Sequence, residues 1–173
     1  TPLRFKTFME TVKNDPLGRA SDVRDEIDFF VSEKNFYSVL FDANKEGKLP
    51  LRVTHNDTKT NNVMLDATTK KAVRVIDLDT VMPNFIFSDF GDYLRSAANT
   101  GKEDDKDLDN VNFNMEIFKS FTKGYLKSAA SFITPLEVEN LPYAAALFPY
   151  MQTVRFLADY INGCKDTHFT AEF

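Results

Sequence analysis

A polar stretch in the middle of the chain carries residue types that can do chemistry. It reads His55-Asn56-Asp57-Thr58-Lys59-Thr60-Asn61-Asn62 and contains the pattern His-x-Asp-x4-Asn. Twenty residues after Asp57, an apolar run ends in Asp77. Phosphoryl transfer from a nucleotide needs a carboxylate that accepts the proton of the attacking hydroxyl, and an Asn and an Asp that hold Mg²⁺. A loop with Asp57 and Asn62, followed by a hairpin that delivers Asp77, can bring these groups to one ion.

A second carboxylate follows closely, in the segment Asp77-Leu78-Asp79-Thr80-Val81. Side chains two apart on a strand share a face, so Asp79 would point into the same cleft as Asp77 if the strand stays extended. The segment also matches the haloacid-dehalogenase phosphatase motif, with Asp77 as nucleophile and Asp79 as acid/base. That fold needs alternating strands and helices downstream and leaves Asp57 and Asn62 unexplained, so it is kept only as an alternative.

The elements that position these residues follow from the spacing of apolar side chains. Three helical runs precede residue 50; they cover Phe5 to Val12, Val23 to Val31 and Phe36 to Ala43. Short strands are predicted at 51–53, 63–65 and 72–78, and the last two form a hairpin through the polar turn 66–71. From residue 82 onward the pattern is helical again. We predict a mostly helical α+β fold with a small hairpin carrying the metal-binding Asp, and this order disfavours a doubly wound parallel sheet.

Some helix ends carry recognisable signals. Ser21 is the expected N-cap of the second helix. Thr134-Pro135-Leu136-Glu137 has the pattern of a capping box with Pro at the first helical position. Pro149 should kink or precede the last helix, which is expected to stop at Asn162-Gly163.

The composition limits the classes to which the chain can belong. Its 173 residues, 43% of them hydrophobic, suit a single domain spanning 1–173. A net charge of −5 argues against a nucleic-acid or anionic-membrane partner. The single cysteine, Cys164, cannot form an internal disulfide, which favours a cytoplasmic location. The longest uncharged run, 140–154, is too short and too interrupted by proline to span a bilayer.

The motif and its surroundings resemble the aminoglycoside phosphotransferase and choline kinase superfamily, which has a protein-kinase-like fold. The sequence around the motif is most similar to the N-acetylhexosamine 1-kinase branch. The matching segments are Leu51-Arg52-Val53-Thr54-His55-Asn56-Asp57-Thr58-Lys59, Asn61-Asn62-Val63-Met64, Asp77-Leu78-Asp79-Thr80-Val81-Met82-Pro83 and Asp89-Phe90-Gly91-Asp92. The similarity runs from the 15–19 segment to the 155–157 helix. One departure is Asn84, where the branch is expected to have Gly, and it leaves the local turn open.

The resemblance implies roles for individual residues. Asp57 would be the catalytic base, and Lys59 would lie near the transferred phosphate. Asn62 and Asp77 would be Mg²⁺ ligands, with Asp79 either a further ligand or an acid beside the metal.

Three further residues are given supporting or binding roles. His55 in such a loop supports the backbone, and Arg155 would lie near the sugar, although it could simply pair with Asp159. Asp89-Phe90-Gly91 spells the metal-binding tripeptide of protein kinases, but it lies 32 residues after Asp57. Asp77 is better placed, so Asp89 is assigned a structural role.

The implied activity is an ATP- and Mg²⁺-dependent kinase acting on a small sugar, at the anomeric hydroxyl of an N-acetylhexosamine. An aminoglycoside or choline/ethanolamine kinase of the same superfamily is the nearest rival. A non-catalytic, pseudokinase-like binding module is a further alternative.

The amino-terminal part of the chain lacks features expected of such an enzyme. No five-stranded sheet is predicted before residue 51, there is no Gly-rich loop, and the chain starts at Thr1 rather than Met. We therefore expect the chain to be the C-terminal lobe of a longer enzyme, with the N-terminal nucleotide lobe of the same protein as its missing partner. The isolated chain is expected to be inactive.

Overall fold

The computed structural model describes residues 2–35, 38–101 and 105–163. The chain divides into two compact units. We call Thr1–Lys45 with Pro149–Phe173 the helical unit, and Glu46–Phe148 the central unit. That the chain folds as one domain over 1–173 stays a prediction.

The helical unit contains α1 (Pro2–Asn14), α2 (Arg24–Ser32), α3 (Val39–Lys45) and the end of α6 (Pro135–Ile161). The helical spacing read from the sequence corresponds to buried faces. Its core consists of Phe5, Phe8, Ile27, Phe30, Tyr150, Val154, Leu157 and Ile161. The Tyr150 hydroxyl donates a hydrogen bond to the Phe30 carbonyl at 3.1 Å, so the polar tip of this ring is satisfied inside the core.

Helix starts in this unit differ from the prediction. Ser21 is not the N-cap of α2, because the helix begins three residues later at Arg24. The carboxylate of Asp15 provides the local organisation instead, with Oδ1 accepting the backbone N–H groups of Arg19 and Ala20 at 2.8 and 3.1 Å. The predicted third run is helical from Val39, and its first residue, Phe36, lies outside the described residues.

Two small antiparallel sheets open the central unit. Strand β1 (Arg52–Thr54) pairs with β4 (Met82–Asn84), and β2 (Val63–Leu65) pairs with β3 (Ala72–Val75). The β2–β3 hairpin confirms the predicted one, and Asp66 closes its turn by accepting the N–H groups of Thr68 and Thr69. Strand β4 was not predicted, because only helix was expected after residue 82. Both sheets are antiparallel, and this order does not fit a haloacid-dehalogenase sheet.

Helices complete the central unit. They are α4 (Phe87–Ala97), α5 (Met115–Ala129) and the first part of α6. Aromatic rings join α4 to α5, since Phe90 contacts the rings of Phe118, Phe121 and Tyr125 at 5.1–6.5 Å. The fold is thus mostly helical with small antiparallel sheets, consistent with a kinase-like domain.

Helix α6 begins as the sequence predicts. Thr134 N–H donates to Glu137, and Glu137 N–H donates to the Thr134 hydroxyl, which is the reciprocal capping box. Pro149 does not precede the helix, which continues to Ile161, and the predicted alternative of a kink at this proline stays a prediction. Buried side chains on both sides of the proline, such as Leu147 and Tyr150, explain why the helix tolerates the missing N–H. Among the described residues, no helix is both long and apolar enough to cross a membrane.

Candidate active site

The polar stretch identified in the sequence forms a loop, here called loop 55–62, whose first residues are fixed by α4. Asp89 Oδ2 accepts the backbone N–H of His55 at 2.9 Å, and Oδ1 accepts that of Asn56 at 2.7 Å. Asn56 has a left-handed backbone, with φ of 66°. Hydrogen bonds to an ionised carboxylate are the stronger kind, so one side chain of α4 fixes the backbone directly before Asp57.

The same helix contacts loop 55–62 further along. The Thr58 hydroxyl donates to the Asp89 carbonyl at 2.7 Å, and the Thr60 N–H donates to the Ser96 hydroxyl at 3.0 Å. Residues 89 and 96 are seven apart, two helical turns on one face of α4. The loop therefore lies along a polar stripe of this helix.

The His55 imidazole links loop 55–62 to the segment that carries Asp77. Its Nδ1 accepts the N–H of Asp57 at 3.2 Å, and its Nε2 lies 2.9 Å from the Ile76 carbonyl. A backbone N–H can only donate and a carbonyl can only accept, so the contacts assign a neutral ring with its proton on Nε2. A doubly protonated ring would lose the bond from Asp57 N–H.

The Asp57 carboxylate is oriented by two side chains of its own loop. Asn62 Nδ2 donates to Asp57 Oδ2 at 2.9 Å and to the Asp57 carbonyl at 2.8 Å. Lys59 Nζ lies 3.0 Å from the same Oδ2, and this contact raises the pKa of Lys59. Within the described ranges, Asp57 Oδ1 and Asn62 Oδ1 take no hydrogen bond. One oxygen of Asp57 is held, and the other can accept a proton.

Asp77 reaches this neighbourhood through its predecessor. The Ile76 N–H donates to the Asn62 carbonyl at 2.9 Å, which continues the β2–β3 ladder up to Asp77. The strand does not stay extended as expected, because Asp77 has a φ of 66° and a 3-10 turn follows at Leu78–Thr80. Asp79 nevertheless meets Asp77: a hydrogen bond between the two carboxyl groups, and then their mutual repulsion, raise the pKa of Asp77. The charge of Asp57 acts in the same direction.

These groups suit Mg²⁺ as part of a shared coordination shell. Across the described residues, no three His, Cys, Asp or Glu side chains close on one point to form a metal site by themselves. Mg²⁺ is normally held by one or two carboxylates together with substrate phosphates and waters. The amide oxygen of Asn62 and the mutually repelling carboxylates of Asp77 and Asp79 fit that donor set. A divalent cation would relieve the repulsion that raises the pKa of Asp77.

Polar residues without a predicted role in the site fix the two backbone segments to each other. The Thr80 hydroxyl donates to the His55 carbonyl at 2.6 Å, and Asn56 Nδ2 donates to the Thr80 carbonyl at 3.0 Å. Asn84 Nδ2 donates to Asn56 Oδ1 at 2.7 Å and to the Ser88 hydroxyl at 2.8 Å. Asn84 is outside the left-handed region, so the turn does not need the Gly expected there.

Arg155 belongs to the helical unit, whereas the residues above belong to the central unit. Its side chain is 53% exposed, and Nε lies 3.8 Å from Asp159 Oδ2, the alternative pairing considered from the sequence. This pairing with Asp159 gives Arg155 no role in the site of the central unit. Its role as a sugar ligand stays a prediction.

A cavity of about 550 Å³ in the central unit is lined by β1, Ile86, Asp89, Tyr125 and Phe132. Burial of the Tyr125 hydroxyl, and next the negative charge of Asp89, raise the pKa of Tyr125 to about 12. On β1, Arg52 forms two hydrogen bonds of 2.8 Å with buried Glu137. This pair neutralises the cavity's only cation among the described lining residues, so the cavity is not suited to an anion.

The loop therefore presents an aspartate with one free oxygen beside amide and carboxylate groups of the kind that can hold Mg²⁺. A sequence model of the phosphotransferase enzyme family matches residues 10–116, which is more than half of the chain. The chain belongs to the phosphotransferase enzyme family.

The match confirms the predicted superfamily and a kinase-type enzyme. Enzymes of this family generally use ATP and Mg²⁺. The matched range contains every predicted site residue except Arg155.

Proposed function

We propose that the chain is the catalytic C-terminal lobe of an ATP-dependent kinase that phosphorylates the anomeric hydroxyl of an N-acetylhexosamine. Asp57 is the base, Lys59 lies near the transferred phosphate, and Asn62, Asp77 and Asp79 form the metal-binding set. His55 and Asp89 support the loop. The cytoplasm is the proposed location, on the evidence of a single cysteine.

The observation that carries this proposal is the orientation of the Asp57 carboxylate. Asn62 and Lys59 both contact Oδ2, which leaves Oδ1 for the acceptor hydroxyl. In the proposed step Oδ1 takes the hydroxyl proton, the sugar oxygen bonds to the γ-phosphorus of ATP, and the bond between that phosphorus and the β,γ-bridging oxygen breaks. The products are a sugar phosphate and ADP, and Asp57 later releases its proton to solvent.

The other residues act on charge and position. Lys59 is close enough to Asp57 to move between the carboxylate and a transferred phosphate, where its ammonium would offset negative charge. Mg²⁺, when bound at Asn62 and Asp77, neutralises charge on the phosphates. His55 and Asp89 hold the backbone that leads into the proton acceptor, and this alignment is a large part of what a phosphoryl-transfer enzyme contributes.

The sugar is the finer part of the proposal. The family match does not distinguish a sugar kinase from an aminoglycoside or choline kinase. The sequences of the 51–59 and 77–83 segments support the N-acetylhexosamine branch. A hemiacetal hydroxyl is also more acidic than an ordinary alcohol, so a carboxylate base such as Asp57 suffices. Arg155 is the proposed sugar ligand, because its five donors suit hydroxyl and acetamide oxygens.

A nucleotide lobe elsewhere in the same protein is part of the proposal. Apolar side chains stand exposed on the hairpin and the segment after it, which is a surface that another domain could cover. They are Met64, Leu65, Val73, Val75, Ile76, Leu78, Val81 and Met82. A pseudokinase-like binding module could also be covered in this way, but it would not need the free oxygen of Asp57.

The test uses the full-length protein and Asp57→Asn. The substitution keeps the shape and removes the proton acceptor, so kcat should fall by about 10²–10⁴ while ATP and Mg²⁺ binding persist. Asp66→Asn, in the hairpin turn, is the matched control and should retain full activity. With N-acetylglucosamine or N-acetylgalactosamine, the product should show phosphorus coupling to the anomeric carbon by NMR.

Three results would count against the proposal. Undiminished turnover in Asp57→Asn would remove the base assignment. Phosphate on O6, or activity on borohydride-reduced sugar, would move the protein to another branch of the family. A wild-type protein that binds ATP but transfers phosphate to no sugar, aminoglycoside or choline would favour the binding module.

A further inference from the structure

A buried carboxylate on α4 has no part in the chemistry proposed above. Asp92 is 4% exposed. Its Oδ1 accepts hydrogen bonds from Arg95 Nε at 3.2 Å and Nη2 at 3.1 Å, whereas its buried Oδ2 has no hydrogen-bond partner among the described residues. Burial raises the pKa of Asp92, and Arg95 opposes that effect only in part. A half-satisfied buried carboxylate is costly to a fold, so its presence calls for a reason.

The reason is suggested by its place on the helix. Asp92 lies three residues after Asp89 and four before Ser96, on the face of α4 along which loop 55–62 runs. Asp89 contacts the start of the loop, and Ser96 accepts the N–H of Thr60. Because Asp92 lies between Asp89 and Ser96 on this face of α4, it faces the part of the loop between His55 and Thr60.

Electrostatic effects agree with this placement. The backbone N–H of Lys59 lowers the pKa of Asp92, and the charge of Asp92 contributes to the raised pKa of Lys59. The Asp57 charge also acts on Asp92. The charge of Asp92 therefore acts electrostatically on both members of the Asp57–Lys59 pair.

We propose that Asp92 is a positioning residue, whose buried carboxylate holds the loop backbone at Lys59 and keeps the Lys59 ammonium next to Asp57. Arg95 holds the Asp92 carboxylate by its two hydrogen bonds to Oδ1, which leaves Oδ2 free. What the Asp57–Lys59 pair then does rests on the proposed function, but the positioning does not.

The test is amide hydrogen exchange, followed by NMR, on the 173-residue chain. Asp92→Asn keeps the size and the acceptor for Arg95 but removes the charge that faces the loop. Exchange at Lys59 should accelerate about tenfold, because its N–H loses the attraction of a nearby charged group, while α5 and the β2–β3 hairpin stay protected. Asp28→Asn, which removes a carboxylate paired with Arg24 on exposed α2, is the control and should leave these amides unchanged.

Uniform acceleration over the whole central unit would overturn the proposal, because it would make Asp92 only a stabilising residue of α4. If Asp92→Asn does not fold, Asp57→Asn gives a second test. Without the Asp57 charge, the carboxyl ¹³C titration of Asp92 should move to lower pH, and an unchanged midpoint would exclude the proposed proximity.

In the full-length enzyme, Asp92→Asn should lower kcat and leave the KM for ATP unchanged. A protein with no kinase activity but with the localised exchange effect would refute the proposed function and retain the positioning role.

Discussion

Loop 55–62 and the β2–β3 hairpin with the segment after it supply the two halves of the site, and they are built in opposite ways. The loop is bound along α4 through Asp89 and Ser96, and its side chains from residue 55 to 59, together with Asn62, are buried or half-buried. The hairpin has exposed apolar side chains, such as Val73 at 59% exposure, and ends in the exposed carboxylates of Asp77 and Asp79. It is linked to the loop through the backbone of Ile76 and through Thr80.

The difference indicates which half of the chemistry this chain organises by itself. Asp57, the proposed proton acceptor, is held in place by contacts within the central unit. The carboxylates proposed to bind metal are aligned by the backbone but repel each other, and Asp77 sits in a left-handed conformation that non-glycine residues rarely adopt. We infer that the base is preorganised in the chain and that the metal set is completed only when cation and nucleotide bind.

The largest expected effect comes from breaking the attachment of the loop to α4. Asp89→Ala leaves two backbone N–H groups without their carboxylate, which should cost about 2–5 kcal/mol of unfolding free energy. Asp77→Asn is the corresponding change in the other region, because Asn tolerates the left-handed backbone at this position. It removes an exposed, repelled charge and should leave stability unchanged or slightly higher. Urea unfolding of the 173-residue chain measures both, and equal losses would contradict the comparison.

A smaller effect tests whether α4 is fixed from its other side. A Cβ at Gly91 would lie 2.5 Å from the Ala144 carbonyl oxygen and 2.6 Å from the Phe148 ring, so Gly91→Ala should destabilise by about 1–3 kcal/mol. Gly124, inside α5, has no atom within 4 Å of its Cβ position. Gly124→Ala is the control and should stabilise by about 0.5–1 kcal/mol, because Ala is the better helix former. If both changes stabilise, α4 is less tightly packed than the structure indicates.

Much of the fold could be predicted because its signals are local. Helical periodicity located α1, and the Thr134–Glu137 box located the start of α6. The β2–β3 hairpin followed from two apolar runs and a polar turn. Strand β4 was missed because three residues carry too little pattern. That α6 passes through Pro149 could not be predicted, because burial on both sides of a proline is a tertiary effect.

The site divides in the same way. The residue types of loop 55–62 and their spacing to Asp77 pointed to the chemistry, since both are written along the chain. Asp92 and Asn84 could not be assigned, because their contacts reach residues about 30 positions away. The stripe Asp89, Asp92 and Ser96 did leave a signal, namely polar residues at helical spacing in an amphipathic helix.

The smallest expected effect concerns the titration of Asp77. It sharpens the contrast between Asp57, which is already held in place, and the carboxylates of Asp77 and Asp79, which still repel each other. Asp79 raises the pKa of Asp77, whereas hydrogen bonds within the hairpin turn, from Thr69 first, lower the pKa of Asp66. Carboxyl ¹³C shifts should therefore give Asp77 a higher midpoint than Asp66. A raised pKa means that the folded chain binds this proton more tightly than the unfolded chain, so the contribution to stability is present at low pH and is lost as the pH rises through the folded midpoint.

Mg²⁺ competes with the proton and should lower the midpoint of Asp77 while that of Asp66, the exposed control, stays unchanged. Equal shifts of both residues would indicate general screening by salt, and a midpoint of Asp77 below that of Asp66 would contradict the close approach of Asp77 and Asp79 on which the proposed metal set depends.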